Sequence, residues 1–413
     1  MSKQVVIVGG GVIGLSNAYA LIKAGASVTL VESDSEVAMG ASFANGGQLS
    51  YRYVSPLADA GVPLQGLKWM GKEDSPLNFK LRASLKQWSW LLQFTAACTR
   101  RTNQVNGAHI LRLSLLSQNM LNQWRTSGDI GDFHWRRSGK MIIHRDQASF
   151  EKASQSVDPE FQQVLNNREL CDLEPALIHI QDQLRGAIYA PADETADCHA
   201  FCVQLLAYLK QQPQFRLLTE RQVTGFATAG ERILGLETTS GRIEADEFIV
   251  AAGNGSVPLL AKLGIKVAVY PLKGYSLTLP FPEAAHVVPS ISVTDYGHKI
   301  VYAKLGDELR VAAMVDIGYE DQGLRANRVA ALKRTVRASF PKLGALDEAT
   351  AWSGLRPSTP KGPPILGRTK YTNLWLNIGH GSLGFTLAAG SATVLTHLVT
   401  GAEAPISLTG LTG

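Results

Sequence analysis

This sequence has few cysteines, no long apolar run and no dense run of one charge. The 413 residues include four cysteines, Cys98, Cys171, Cys198 and Cys202, and none has the spacing of a metal or redox motif. We therefore expect buried free thiols, a reducing compartment and no metal site. No uninterrupted run of about eighteen apolar residues is present, so we expect no membrane-spanning helix. The net charge of +5 comes without a Lys/Arg run dense enough for a nucleic-acid groove, which argues against a nucleic-acid partner.

The N-terminal residues predict a strand, a glycine-rich turn, a helix and a second strand. Residues 5–8 are apolar and β-branched, which is typical of a strand buried on both faces. Residues 15–23 have the apolar side of a helix, Gly25 ends that helix, and residues 27–32 form the next strand.

The glycines between the first strand and the helix have the spacing of a dinucleotide-binding turn. Gly9 permits the tight turn, Gly11 lets the backbone approach a pyrophosphate, and Gly14 allows close packing of helix and strand. Glu32 follows Gly14 by eighteen residues, where its carboxylate can accept hydrogen bonds from the ribose hydroxyls and disfavours the extra phosphate of NADP. The pattern predicts dinucleotide binding, with a tight turn that binds nothing as the alternative.

A second loop, residues 40–50, is too rich in small and polar residues to be a core element. Ser42 and Asn45 offer a hydroxyl and an amide to phosphates, and Gly46 and Gly47 let the backbone lie against a flat ring. The alternative is a flexible surface loop.

Residues 64–101 combine many apolar and aromatic side chains with seven basic and two acidic ones. A basic, aromatic-rich amphipathic stretch is what contact with a membrane surface requires, so the segment 56–101 is a candidate for that contact. A helix packed on its own domain with a solvated basic face explains the pattern equally well.

Several motifs stand in an order that is familiar from one family. They are the glycine turn with Glu32, the loop 42–48, the segment Lys273-Gly274-Tyr275-Ser276, the segment Gly354-Leu355-Arg356-Pro357, and the closing segment 379–384. Together they resemble the FAD-dependent D-amino acid oxidase superfamily, and within it the bacterial D-amino acid dehydrogenases, often called the small subunit. The resemblance covers nearly the whole chain.

The resemblance implies an α/β fold in two domains. A Rossmann-like FAD-binding domain would be assembled from residues 1–55, 186–268 and 345–413. An α+β substrate domain, residues 56–185 and 269–344, would place a mixed or antiparallel sheet over the flavin. The period-two alternation of apolar residues between 269 and 313 independently predicts strands of such a sheet.

The resemblance also implies FAD as the cofactor, and the chain shows no residue for a covalent bond to it. No cysteine follows Cys202 and no histidine precedes His109, so we expect non-covalent FAD. The expected contact residues are Gly9, Gly11, Val12, Ile13, Gly14, Glu32, Ser33, Ser42, Asn45, Gly46, Gly47, Gln48, Val223, Ala252, Gly253, Arg356, Gly379, His380, Gly381, Ser382, Leu383 and Gly384.

The implied reaction is the oxidation of a D-amino acid by hydride transfer from Cα to flavin N5, which gives an imino acid that hydrolyses to a keto acid and ammonia. Arg356 would clamp the substrate carboxylate, for which a planar guanidinium is suited. Tyr275 could donate to the same carboxylate or be a core residue, and Gln48 could border the ring. His380 is either a general base or a histidine held by a backbone hydrogen bond.

Three functions remain open at this point. The first is a dehydrogenase that passes electrons to a quinone-type acceptor in the membrane. The second is an oxidase or dehydrogenase for a small or cyclic amino acid such as glycine, sarcosine, D-proline or cis-4-hydroxy-D-proline, although residues 381–383 lack the second Arg found in some amine oxidases. The third is a non-catalytic FAD-binding subunit, against which Arg356 argues.

The predicted nucleotide-binding strand begins close to Met1 without a charged leader. We therefore expect a cytoplasmic protein, peripheral on the cytoplasmic face of the inner membrane if the segment 56–101 binds lipid.

Overall fold

The computed structural model describes residues 2–69, 75–280 and 287–412. Met70, Lys72, Glu73 and Asp74 of the candidate membrane-contact segment lie outside the described residues. The helices are α1 (Val12–Lys23), α2 (Val62–Trp69), α3 (Leu85–Ala97), α4 (Arg100–Thr126), α5 (Gln147–Ser154), α6 (Asn167–Leu173), α7 (Cys198–Lys210), α8 (Ser256–Ala261), α9 (Ala326–Ser339) and α10 (Gly384–Thr400). Short 3-10 turns lie at Pro175–Gln183, Gly253–Gly255, Gly344–Glu348 and Gly381–Leu383.

The first ten strands are β1 (Gln4–Val8), β2 (Ser27–Val31), β3 (Gln48–Leu49), β4 (Leu77–Phe79), β5 (Lys140–His144), β6 (Gln163–Asn166), β7 (Gly186–Ala190), β8 (Glu194–Thr195), β9 (Phe215–Leu218) and β10 (Val223–Ala229). The remaining strands are β11 (Arg232–Thr238), β12 (Gly241–Ile243), β13 (Glu247–Val250), β14 (Tyr270–Pro280), β15 (Ser292–Asp295), β16 (Ile300–Leu305), β17 (Glu308–Ile317), β18 (Thr350–Ser358), β19 (Ile365–Arg368) and β20 (Leu374–Ile378).

One sheet has the order β19-β20-β13-β1-β2-β9, and all of its strands are parallel except β19. It is buried on both faces, as the apolar run of β1 predicts. Val5 and Ile7 pack on the side of α1, α7 and α10, whereas Val6 and Val8 pack on the side of α8 and the antiparallel sheet β10-β11-β12. The carboxyl ends of β1, β2 and β13 therefore meet at one edge, where the glycine turn follows β1.

The other large sheet has the order β18-β14-β17-β16-β15-β5-β7-β6, with β4 paired to β17. Most of its pairs are antiparallel, while β15 with β5 and β17 with β4 are parallel, so the sheet is mixed. One face packs under α9, where Leu332 and Val336 contact a core that includes Leu277, Tyr302 and Val311. The opposite face is turned towards the loop between β2 and β3.

The structure differs from the predicted domain boundaries at two strands and one helix. β7 and β18 fall in pieces assigned to the FAD-binding domain, yet both pair in the mixed sheet, β7 with β5 and β18 with β14. α4 falls in the predicted substrate domain, yet Leu121 and Trp124 pack with α1 and α10 in the core of the parallel sheet. These contacts join elements that are far apart in the sequence. Such pairing leaves no local pattern in the sequence, so the predicted boundaries did not include it.

One helical stretch of the described residues, Gly381–Thr400, has the length and composition of a membrane-spanning helix, and 72% of it is buried inside the protein. Ser and Thr interrupt its apolar residues, which is why a count of uninterrupted apolar residues does not find it. Within the fold it serves as a core helix between α1 and α4. The Gly390 N–H donates to the Ser117 hydroxyl at 3.0 Å where α10 crosses α4.

Candidate active site

The glycine turn after β1 is shaped by backbone contacts that exclude larger residues. Gly9 has φ of 107°, and a Cβ there would lie 2.8 Å from the Ala251 carbonyl oxygen. A Cβ on Gly14 would overlap the carbonyl oxygen of Gly9. Gly11 is the N-cap of α1, which places the N–H groups of that helix terminus next to the turn. Ala252, which follows Ala251 after β13, packs against Gly9 and completes this edge.

The carboxylate of Glu32 lies against the same turn. One of its oxygens accepts a hydrogen bond from the Gly10 N–H at 2.6 Å, and the other accepts from the Ser33 N–H at 2.6 Å. The Arg221 N–H donates to the Glu32 carbonyl at 2.9 Å, which brings the start of β10, with Val223, alongside the end of β2. Glu32 and Val223, both expected to contact FAD, thus lie at one edge of the sheet.

Ser42 and Asn45 differ in where their side chains point. The Ser42 hydroxyl accepts a hydrogen bond from the Val12 N–H at 3.0 Å, so it lies at the N-terminus of α1 with its own proton free to donate. The Asn45 carbonyl oxygen accepts from the Gly47 N–H at 3.1 Å, so this side chain turns back into its own loop. The Ser42 hydroxyl thus lies beside the glycine turn, whereas the Asn45 side chain shapes its own loop rather than facing the turn.

Two side chains of the mixed sheet hold this loop, and the sequence analysis missed both. The Ser276 hydroxyl donates to the Ala44 carbonyl at 2.7 Å, and Arg310 Nη1 donates to the Asn45 carbonyl at 3.1 Å. Arg310 also pairs with Asp197 at 3.4 Å. Alternation along β14 and β17 assigns Ser276 and Arg310 to the face opposite α9, which is the signal that was available.

Gly46 and Gly47 lie on that same face of the mixed sheet. A Cβ on Gly46 would lie 3.3 Å from the Ala312 methyl group, and Gly47 has φ of 62° against Leu305. Gln48 follows them and points towards β15, where its amide donates to the hydroxyls of Ser292 at 2.6 Å and Thr294 at 3.2 Å. Gln48 therefore stands at the far end of the face, beyond β16.

The guanidinium of Arg356 crosses the mixed sheet from its edge strand β18 towards β17. A Cβ on Gly274 would overlap the guanidinium, and Arg356 Nη1 donates to the Met314 carbonyl at 3.0 Å. Within the described ranges no carboxylate lies in ion-pair distance of it. Burial lowers the pKa of Arg356 to about 10, so the group stays protonated at neutral pH. Gly274 and Ser276 share one face of β14, so Arg356 faces the loop that Ser276 holds.

Tyr275 points to the opposite face and has no side-chain contact with this site. It is 1% exposed, and its hydroxyl donates to Asp316 at 2.8 Å. Asp316 also pairs with Arg325 at 2.7 Å and with Arg328 at 2.9 Å. Burial raises the pKa of Tyr275. The placement corrects the prediction of a carboxylate donor in favour of the core residue.

The closing segment 379–384 directly follows β20 of the parallel sheet and lies beside β18 of the mixed sheet. Gly379 and Gly381 have φ of 81° and 57°, and His380 forms a β-bridge with Ser358, two residues beyond Arg356. His380 is 4% exposed, and its Nε2 has no hydrogen-bond partner among the residues that the structure describes. Burial lowers its pKa to about 3, so the imidazole is neutral at physiological pH, which disfavours the general-base role, one of the two roles left open for it.

The remaining expected contacts lie in the turn before α10 and in the turn after β13. Ser382 and Leu383 form the 3-10 turn that leads into α10, and Leu383 packs against a core cluster, away from open space. Gly384 is the first residue of α10, whose N-cap makes no side-chain hydrogen bond. Next to Gly253, the Asn254 amide donates to the Leu355 carbonyl at 2.9 Å and ties the turn after β13 to β18.

These features fit a dinucleotide cofactor. The turn after β1 leaves no room for side chains, Ser42 and the N-terminus of α1 suit a pyrophosphate, and Glu32 suits a ribose. His380, whose buried Nε2 has no hydrogen-bond partner among the described residues, is bridged to Ser358, two residues beyond Arg356. The arrangement runs from a nucleotide end at the parallel sheet to a guanidinium on the mixed sheet.

Comparison with known proteins agrees with this geometry. The family described as DAO, FAD dependent oxidoreductase, matches residues 4–398. D-amino acid dehydrogenase 2 of Pseudomonas aeruginosa is 48% identical over 412 residues, which cover 100% of this chain and 98% of that protein. D-amino acid dehydrogenase of Vibrio cholerae serotype O1 is 36% identical over 417 residues, which cover 99% of this chain and 97% of that protein.

Solved structures show the same fold at lower identity. Glycine oxidase from Geobacillus kaustophilus superposes with a TM-score of 0.76 at 21% identity, over 100% of this chain and 98% of that one. Iminodiacetate oxidase from Chelativorans sp. BNC1 gives 0.72 at 22% identity, over 99% of this chain and 98% of that one. The predicted α/β fold, with a parallel Rossmann-like sheet and a mixed sheet, is confirmed. The chain belongs to the DAO family of FAD-dependent oxidoreductases.

Proposed function

We propose that this protein is an FAD-dependent D-amino acid dehydrogenase. The single observation that supports it best is Arg356, a buried guanidinium on the face of the mixed sheet opposite α9, whose hydrogen-bond acceptor among the described residues is one backbone carbonyl. A buried cation needs a counter-charge, and the carboxylate of an amino acid supplies one in a bidentate geometry. The names of the full-length relatives indicate the D-configuration.

The chain's own residues orient the substrate more than they move protons. FAD supplies the hydride acceptor when it is bound. Arg356 fixes the carboxylate, and this fixes where Cα lies relative to the loop held by Ser276 and Arg310. The substrate amine loses its proton to solvent before oxidation, because the depressed pKa of His380 and the core position of Tyr275 leave neither suited as a base.

The flavin is held without a covalent bond. None of the residues expected to contact FAD is a cysteine. Cys198 and Cys202 are both buried on α7. Acid precipitation of the purified protein should release all flavin into the supernatant. Flavin that stays with the precipitate would contradict this part of the proposal.

The test of the activity is an anaerobic visible spectrum before and after each amino acid. D-alanine, D-proline and cis-4-hydroxy-D-proline are compared with their L-counterparts, with glycine and with sarcosine. Bleaching of the flavin band by D-forms alone supports the proposal, and the fastest substrate defines the side chain that the pocket accepts. Bleaching only by glycine or sarcosine would replace it with the small-amino-acid alternative. A flavin spectrum that no amino acid changes would contradict amino acid oxidation and would mean that this flavoprotein has a different role.

We further propose a membrane quinone as the electron acceptor, and the support comes from helix α3. Its inward face, Gln87, Trp90, Phe94 and Ala97, is buried, and Trp90 is stacked on Phe94 and donates to the Ser358 carbonyl at 2.9 Å. Trp90 therefore belongs to the core and not to a membrane-contact surface.

The outward face of α3 is apolar as well. Leu85, Trp88 and Leu92 repeat at helical spacing and are 91%, 45% and 69% exposed. Leu64 on α2 and the nearby Leu81 are 67% and 53% exposed. Exposed Lys68, Lys80, Arg82 and Lys86 lie in the same stretch of the chain, and exposed apolar side chains together with cations are the chemistry of a surface that binds anionic lipid.

We expect the triple variant Leu85→Ser, Trp88→Ser, Leu92→Ser to lose binding to vesicles that contain phosphatidylglycerol. Flotation assays should show the bound fraction fall roughly tenfold, because most of the buried apolar area is removed. Dye-coupled activity should stay unchanged. The matched control replaces three exposed apolar residues elsewhere, Ile178, Leu234 and Leu324, with serine. Equal vesicle binding by both variants and the wild type would contradict the proposed membrane contact. Hydrogen peroxide formed in air at the rate of substrate oxidation would show that oxygen, and not a quinone, is the electron acceptor.

A further inference from the structure

The pairing of β14 with β17 is interrupted opposite Gly274. Lys273 pairs with Asp316 and Tyr275 pairs with Ala313, so two residues of β17, Met314 and Val315, lie opposite one residue of β14. This is a β-bulge, a feature that bends a strand and redirects its backbone groups. It lies beneath the guanidinium of Arg356.

Met314 has a left-handed backbone at this bulge, with φ of 67°. Residues other than glycine seldom adopt this conformation, because the Cβ approaches the following carbonyl oxygen. The Met314 side chain is 6% exposed and packs in the core under α9. Packing of a side chain in the core does not by itself require a left-handed backbone, so the conformation of Met314 has a further cause.

The Met314 carbonyl provides that further cause. At the bulge this carbonyl accepts the hydrogen bond from Arg356 Nη1 at 3.0 Å, at the point where the guanidinium crosses Gly274. A guanidinium has five N–H donors, and one bond to this carbonyl leaves a fork of the others free for a bidentate partner. The orientation of the fork thus depends on the backbone of residue 314.

We propose that Met314 is a positioning residue, whose left-handed backbone sets the guanidinium of Arg356 in the orientation that binds the substrate carboxylate. The inference rests on the proposed function, because it assumes that Arg356 binds that carboxylate. It adds a determinant of substrate affinity that touches neither substrate nor cofactor through its side chain.

Two isomeric substitutions separate the backbone role from packing. Met314→Leu and Met314→Ile have nearly the same volume and apolar character, so both fill the core under α9. Only isoleucine is branched at Cβ, and branching strongly disfavours the left-handed conformation. We expect Met314→Leu to keep the KM for the D-amino acid within about twofold. Met314→Ile should raise KM roughly tenfold or more, because the bulge changes and the guanidinium turns.

A glycine at the same position gives the converse test. Met314→Gly adopts the left-handed backbone without strain but leaves a cavity in the core. It should keep KM within about threefold while it lowers the melting temperature more than Met314→Leu does. A merely structural role would make KM follow stability and so place glycine among the most impaired variants. Flavin content and the limiting rate of flavin reduction should be similar in all three.

Equal KM values for Met314→Leu and Met314→Ile would overturn the positioning role, as would a tenfold rise in KM for Met314→Gly. If Met314→Ile does not fold, the glycine variant alone decides. Arg356→Lys, measured in parallel, separates this inference from the proposed function. An unchanged KM in Arg356→Lys overturns the carboxylate clamp and the inference with it. A raised KM there together with a normal KM in Met314→Ile overturns the positioning role alone.

Discussion

The two halves of the site are built from different parts of the chain. At the edge of the parallel sheet, recognition depends on backbone: Gly9 and Gly14 permit close approach, and the N-terminus of α1 presents its N–H groups. On the mixed sheet, the proposed substrate recognition depends on a side chain, that of Arg356, which crosses β14 at Gly274 and donates to the Met314 carbonyl at the bulge. A backbone site has a compact sequence signature, whereas a side-chain site on a sheet is defined by pairing partners far apart in sequence.

The largest effect should follow a change in the backbone half. Gly14→Ala places a methyl group where the Gly9 carbonyl oxygen lies, so the turn has to move. We expect the flavin-to-protein ratio, measured from visible and ultraviolet absorbance, to fall at least about tenfold, with a lower melting temperature. Gly344→Ala is the matched control, since a Cβ there meets nothing within 4 Å. Normal flavin content in Gly14→Ala would show that the turn tolerates a side chain and would weaken the assignment of the backbone half.

The next effect concerns the side-chain half. Arg356→Lys keeps a positive charge but loses the planar fork, so the substrate carboxylate is held by a single point charge. We expect KM for the D-amino acid to rise about 100-fold, which corresponds to roughly 2.7 kcal/mol, while the flavin content stays at the wild-type value. Stopped-flow reduction under anaerobic conditions gives the affinity and the limiting rate separately.

Arg368→Lys serves as the control for Arg356→Lys, because Arg368 is exposed at the end of β19 and contacts the ring of Trp375. The comparison of the two halves predicts opposite patterns. Gly14→Ala loses flavin, and Arg356→Lys keeps flavin but loses affinity for substrate. Loss of flavin in Arg356→Lys would show that the halves are not separable.

The sequence predicted the backbone half well because each of its parts is local. The strand before the glycines, α1 after them and β2 up to Glu32 were all found. The apolar runs and glycine spacing that determine these elements lie within a few dozen residues of one another. The family resemblance used these motifs together with the segments 273–276 and 354–357 of the mixed sheet.

The side-chain half was predicted only in part. Arg356 was expected from the family resemblance that its Gly-Leu-Arg-Pro segment carries, but Ser276 and Arg310 were missed. β7 and β18 lie in pieces assigned to the FAD-binding domain, yet they pair in the mixed sheet. The roles of Ser276 and Arg310 depend on which face of β14 and β17 meets the loop before β3, and the sequence does not record that contact. The bulge at Met314 leaves no signal either, because methionine is not a residue that marks a left-handed backbone.

The smallest effect is expected at Tyr275, where the sequence left two roles open. Tyr275 lies between Gly274 and Ser276 on β14 and so points to the face under α9, where its hydroxyl bonds to Asp316. Tyr275→Phe should therefore keep KM within about twofold and the flavin content unchanged. It should lower the free energy of unfolding by about 1–2 kcal/mol in urea titrations, because buried Asp316 loses one donor and keeps its arginine partners. A tenfold rise in KM with unchanged stability would instead place the hydroxyl at the substrate carboxylate, and the assignment of the two faces of β14 would have to be reversed.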